Sequence, residues 1–145
     1  MIQTYLNQIR SFEKEYGDEI PAPIKEEEIK KYTEWAKKEF HNQFPYEDYL
    51  FFLKLANGLN FNGLFLYGLQ LEDDDLNIQL ANNTWRESKY MQNYVFIGED
   101  SISFFVWNMM EKKYEVLDKP SGDVFEEYDN LKNLLMEALE TALPS

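Results

Sequence analysis

The chain of 145 residues contains no cysteine and a single histidine, His41. The first absence excludes a disulfide framework and a thiolate zinc site, and it fits a reducing cytosol. The second leaves any Ser/His nucleophile system dependent on one residue near a predicted helix end, where a histidine matched to the helix dipole is the simpler reading. Long apolar runs are missing too. No stretch reaches the roughly 20 apolar residues needed to span a bilayer, and the opening MIQTYLNQIR has no apolar segment suited to a signal peptide. These absences predict a soluble, cytoplasmic protein. Internal repeats and low-complexity tracts are lacking as well.

Positive charge is scarce: 14 Lys and Arg stand against 27 Asp and Glu, a net charge of -13. Residues 1–45 carry nine acids and seven bases, whereas residues 46–145 carry 18 acids and seven bases, so the second part holds the field. Phosphate backbones and anionic membranes repel such a surface, which argues against direct binding to nucleic acid or lipid. Acidity that only maintains solubility is the plainer alternative.

What is present describes one domain, residues 1–145. A chain of this length buries roughly 68–70% of its unfolded surface and needs no staples. Ile2, Tyr5, Leu6, Ile9, Phe12 and Tyr16 trace one helical face that Gly17 closes. The two prolines of Asp18–Pro23 break the helix and mark a short connector. A second helix is expected from about Lys25 to Phe40, with Ile29, Tyr32, Ala36 and Phe40 inward and Trp35 beside them. Its charges match the macrodipole, and Glu26–Lys30, Glu27–Lys31 and Glu34–Lys38 have the spacing of favourable ion pairs on a solvated face.

A third helix is expected to begin at Pro45, with Glu47 and Asp48 in its first turn, and to end at Asn57-Gly58. Tyr49, Phe52, Leu53 and Ala56 form its inner face, and Gly58 supplies the left-handed stop. Leu64–Tyr67 reads as a strand, and Ile78, Ala81 and Trp85 fit a helix that Asn82 and Asn83 weaken. Tyr94–Ile97, Ile102–Trp107, Lys113–Leu117 and Val124-Phe125 read as strands joined by short turns, which favour antiparallel pairing. Leu131, Leu134, Leu135, Ala138 and Ala142 define a closing helix capped by Asp129 or Asn130. The order predicts an α+β fold: a mostly antiparallel sheet covered by N-terminal and C-terminal helices. Phe104/Val106 and Phe105/Trp107 alternate, as in a sheet buried on both faces. Core packing is the default role for such aromatics, and a groove lined by them is the functional alternative.

Enzyme motifs fail on named residues. Gly58 and Gly63 have P-loop spacing, but Leu64 and Phe65 occupy the positions of the phosphate-binding Lys and the Mg²⁺-binding Ser or Thr. Asp73, Asp75 and Asn77 match three ligands of an EF-hand loop, yet Ile78 replaces the turn glycine and Thr84 the bidentate Glu. Among 27 acids nothing singles out an acid/base pair. No catalytic residue, metal or cofactor is expected.

The segment FPYEDYLFFLKLANGLNFNGLFLYGL, Phe44 to Leu69, carries a proline-led aromatic helix, an Asn-Gly and a strand closing on Tyr-Gly. With Pro45, Tyr49, Phe52, Asn57-Gly58 and Tyr67-Gly68 in those places, the chain resembles the SUKH superfamily, the Smi/Knr-type domain. The repeated Asn-Gly through Gly63 is most similar to the YrhA-like branch. Trp85-Arg86, the strand into Gly98, Ser121-Gly122-Asp123 and a last amphipathic helix follow in the order such domains show. The resemblance implies an immunity protein that binds and neutralises a toxin, for instance a nuclease, of a bacterial polymorphic or contact-dependent toxin system. It also admits a cytosolic interaction or regulatory module that inhibits nothing. On this reading the signature residues are scaffold. The partner-binding candidates are Glu72, Asp73, Asp74, Asp75, Glu99, Asp100, Glu126 and Glu127, all expected in loops or at element ends, where turn chemistry is the competing explanation.

Overall fold

The computed structural model describes residues 1–144. Five α-helices and six strands are present among them: α1 Ile2–Glu15, α2 Glu26–Glu39, α3 Tyr46–Leu53, β1 Leu59–Phe61, β2 Leu64–Leu66, α4 Ile78–Trp85, β3 Tyr94–Glu99, β4 Ser103–Asn108, β5 Lys113–Asp118, β6 Val124–Tyr128 and α5 Leu131–Ala142. The strands form one antiparallel meander in chain order, β1-β2-β3-β4-β5-β6. Short turns join β1 to β2 and each of β3 to β6 to the next, which favours antiparallel neighbours, while the one long connection, residues 67–93, carries α4 and returns the chain to the open side of β2. This is a single α+β domain around one continuous core. No helix among the described residues is long and apolar enough to cross a membrane.

The core is built from both faces of the sheet. On one face of β4, Phe104 packs against Trp85 of α4 and Phe96 of β3, with ring centroids 4.8 and 5.3 Å apart. On the other, Trp107 lies 4.7 Å from Tyr114, and its indole N–H donates to the Gln43 carbonyl at 2.9 Å. Glu115 of β5 is only 2% exposed. Burial pushes its carboxyl above the ordinary glutamate range, although the Asn108 amide donates to it at 3.3 Å. Because the folded state holds that proton more tightly than the unfolded one, this group's contribution to stability is complete at low pH and is lost as pH rises through its folded pKa.

Several local expectations are corrected. Pro45 precedes α3 as its N-cap, and the helix ends at Leu53 rather than Asn57. Leu55 and Ala56 both donate to the Phe52 carbonyl, at 2.8 and 3.0 Å, in a tightened last turn that releases the chain early. Gly58 does have positive φ (+100°), but it leads into β1 instead of stopping a helix. β1 was not expected. It pairs with β2 across Asn62-Gly63, whose φ values of +50° and +85° are those of a tight hairpin turn. Tyr16 lies past the end of α1 and is 80% exposed, so it is not part of the inner face. β6 continues through Glu126 and Glu127 to Tyr128, which places these two glutamates within a strand and not in a loop. The closing helix is capped by Asn130, whose side chain accepts from the Asn133 N–H at 3.0 Å. None of the three expected ion pairs of α2 closes. Exposed long side chains gain little from pairing in water, and among the described residues the closed pairs are Arg86–Glu39 at 3.4 Å, Lys113–Glu127 at 2.8 Å and Lys119–Glu99 at 2.8 Å.

Candidate functional site

β2 and β3 are paired for only a short distance. Phe65 faces Glu99, Leu66 faces Gly98, and the Tyr67 N–H donates to the Ile97 carbonyl at 2.9 Å. Beyond Tyr67 the chain turns away towards α4, and a groove of about 240 Å³ opens there. Phe65, Tyr67, Leu80 and Trp85 supply its aromatic and apolar wall, while Asp74, Asp75 and Glu99 supply its charge. Position dictates these roles. Alternation along the extended chain sends Phe65 and Tyr67 to one side. The turn of 3₁₀ helix at Asp74–Leu76, capped by Asp73 through a 3.0 Å bond from the Asp75 N–H, lifts the two aspartates over the opening.

A hydrogen-bonded chain fixes the floor. The Tyr67 hydroxyl donates to Glu99 and accepts from the Trp85 indole N–H at 3.2 Å, and Lys119 reaches the other Glu99 oxygen at 2.8 Å. Burial, and then the neighbouring carboxylate, hold the Tyr67 phenol far above its ordinary range, so it remains a donor throughout the physiological range. The Tyr49 hydroxyl donates to the Tyr67 carbonyl and lies 3.1 Å from that of Ile97, which ties α3 to the same two strands. The Lys119 ammonium also sits 5.2 Å above the Phe104 ring. Glu99 is therefore satisfied on two sides, whereas Asp74 and Asp75 are exposed at the rim. An arrangement of this kind accepts a cationic side chain, with carboxylates at the mouth and aromatic faces within.

The eight acidic candidates separate into distinct places. Asp74, Asp75 and Glu99 meet at this groove. Glu72 is exposed in the preceding turn, and Asp73 faces a wider cleft beneath the Asp18–Pro23 connector. That cleft, about 880 Å³, has a mixed lining: Arg10 donates to Asn7 and to the Leu55 carbonyl, Glu28 accepts from the Lys25 N–H, and Glu13, Asp18 and Glu19 stand beside Lys25 with no aromatic side chain among them. Asp100 accepts from the Ile102 and Ser103 N–H groups at 3.0 and 2.8 Å, a turn cap, and lines a second groove with Glu126. Glu127 is paired with Lys113. Two of the EF-hand-like residues are likewise caps, Asp73 for the 3₁₀ turn and Asn77, which accepts from the Gln79 and Leu80 N–H groups at the start of α4. Among the described residues no cluster of three or more His, Asp or Glu side chains is placed to hold a metal ion.

The signature residues do more than sequence reasoning assigned to them. Tyr67 and Trp85 join the groove, so scaffold and acidic surface meet. Asn57, read as a helix stop, is buried; its side-chain oxygen accepts from the Leu69 N–H at 2.8 Å, and its amide faces the Leu69 carbonyl at 3.4 Å. Phe52 packs 5.6 Å from Tyr49, and Gly98 lies at the β3 bulge against the Phe65 carbonyl. Asn82, which the sequence marks only as a weak point of the helix, has a role of its own. Where β2 ends, its side chain takes the place of a strand, accepting from the Phe96 N–H at 2.8 Å and donating to the Phe96 carbonyl at 2.8 Å. The only available signal was an asparagine on the inner side of a helical repeat, where a buried amide needs partners. The chain matches no protein-family model and no curated protein.

Proposed function

We propose that this chain is a SUKH-like immunity protein: a cytoplasmic, non-enzymatic domain that binds and neutralises a toxin domain with a basic working surface, such as a nuclease. The observation that carries this reading is the groove in which Asp74, Asp75 and Glu99 surround Tyr67 and Trp85. It lies within the part of the chain that holds most of the negative charge. Protein interfaces draw their affinity from a few buried aromatic and arginine anchors, and complementary charge draws the partner in. A lysine or arginine of the toxin fits such a groove. Inhibition then follows from occlusion, because a surface that grips phosphates cannot do so while covered by carboxylates. Nucleic acid and membranes are not partners on this reading, and no residue is assigned a catalytic role.

Co-expression with the toxin domain encoded immediately upstream tests the proposal. This chain is expected to restore growth and to co-purify with the toxin. Co-purification without restored growth would instead support a non-inhibitory interaction module, and failure against every adjacent toxin would remove the immunity reading.

A further inference from the structure

The two edges of the sheet are treated differently. At one edge, β1 is three residues long, Leu59 and Phe61 are buried, and Phe12 of α1 packs 6.3 Å from Phe61. At the other, β6 is five residues long and exposed along most of its length, with Val124 at 43% and Phe125 at 55% exposure. The strand order stops there, and among the described residues no backbone group from outside the β5–β6 pairing bonds to Val124–Tyr128. Beside this edge, between the sheet and α5, runs a groove of about 510 Å³ whose wall includes Ile102, 60% exposed, together with Phe105, Val116 and Leu134. An unpaired edge next to an apolar groove has the two parts of a strand-addition site: main-chain partners for affinity and a pocket for alternate side chains.

Charge selects the occupant. A second copy pairing antiparallel through the centre of β6 would set Glu126 against Glu126 of that copy, and like charges directly opposed on a strand pair are unfavourable. The bulge at Phe125, between the Leu117–Val124 and Val116–Glu126 pairs, further misaligns self-pairing. Asp100, Glu126 and Glu137 border the groove, while Lys113, the nearby cation, is already bonded to Glu127. We infer that the outer edge of β6 docks an extended basic segment of a protein partner, which adds as a seventh strand and seats an apolar side chain in the groove against α5. This rests on the protein-binding part of the proposed function but concerns a different surface, since the Tyr67 groove lies at β2 and β3.

A capped peptide of about seven residues alternating lysine and valine is the probe. Titrated into the isotopically labelled protein, it is expected to shift the amide resonances of Val124–Tyr128 and to slow hydrogen exchange at β6 amides at least tenfold. Glu126→Lys should weaken binding at least tenfold, and a version of the peptide N-methylated at alternate residues should not bind. Shifts spread over the acidic surface and indifferent to N-methylation, no response at β6, or a dimer whose β6 amides are already protected would each overturn the inference. The assay uses no toxin, so its failure leaves the growth-rescue result to be judged separately.

Discussion

Replacing Asn82 with alanine is expected to destabilise the protein by about 2 to 4 kcal/mol, because the N–H and C=O of Phe96 then lose a partner in a site where the asparagine is 1% exposed. Alanine is the better helix former, so α4 itself gains a few tenths of a kcal/mol. Lost backbone pairing outweighs that gain. For a domain of this size the change lowers the Tm by roughly 10 °C. Asn83, the exposed neighbour, is the control: its alanine variant should remain within about 0.5 kcal/mol of the parent. Urea unfolding of the two variants decides the point. Equal midpoints would mean that the Asn82 amide is not standing in for the missing length of β2.

The second large effect is expected at Gly68. A Cβ added there would lie 2.3 Å from the Asn57 carbonyl oxygen, 2.4 Å from its carbon and 2.7 Å from the Gly58 nitrogen. All three are backbone atoms that cannot rotate away. The segments are also tied together nearby, since the Leu69 N–H donates to the Asn57 side chain and the Gln70 amide donates to the Asn57 carbonyl at 2.8 Å. Relief would require separating them and breaking those bonds, so Gly68→Ala should cost about 3 kcal/mol or more, at the upper end of overpacking effects. Gly17, with nothing within 4 Å of an added Cβ and φ of +79°, isolates the backbone term and should lose only about 1 kcal/mol. A Gly68→Ala variant as stable as Gly17→Ala would show that the chains can move apart cheaply.

These two sites mark what periodicity conveys and what it does not. α1, α2, β3, β4, β5 and α5 were legible because each buries a repeating face, and a repeat of 3.6 or 2 can be read without knowing the partner. β1 was missed because Asn57-Gly58 resembles a helix stop, although Asn62-Gly63 carried the hairpin signal five residues later. β6 was cut short because an exposed edge strand keeps glutamates where a buried strand would have apolar residues. Asn57 and Asn82 hold backbone groups 12 and 14 residues distant. No local pattern announces such partners.

For the groove, the acids were recognised as a set, but their division was not. Asp74 and Asp75 come to the same groove as Glu99 only because the 3₁₀ turn folds back over the end of β2, while Asp100, one residue further, turns to cap the β3–β4 connection. Tyr67 and Trp85 were read as scaffold. They belong to the same hydrogen-bonded chain as Glu99, and that junction of signature and charge is what makes a protein-binding role specific enough to test.

The central claim is that this acidic surface draws in and captures a basic toxin domain. Its most direct measurement is the association rate constant with the toxin domain encoded beside it, followed by stopped flow as salt is raised from about 20 mM to about 500 mM, a range over which the screening length falls severalfold. Electrostatic steering predicts a rate that falls at least tenfold across the series while the dissociation rate changes far less. An association rate indifferent to salt would contradict it.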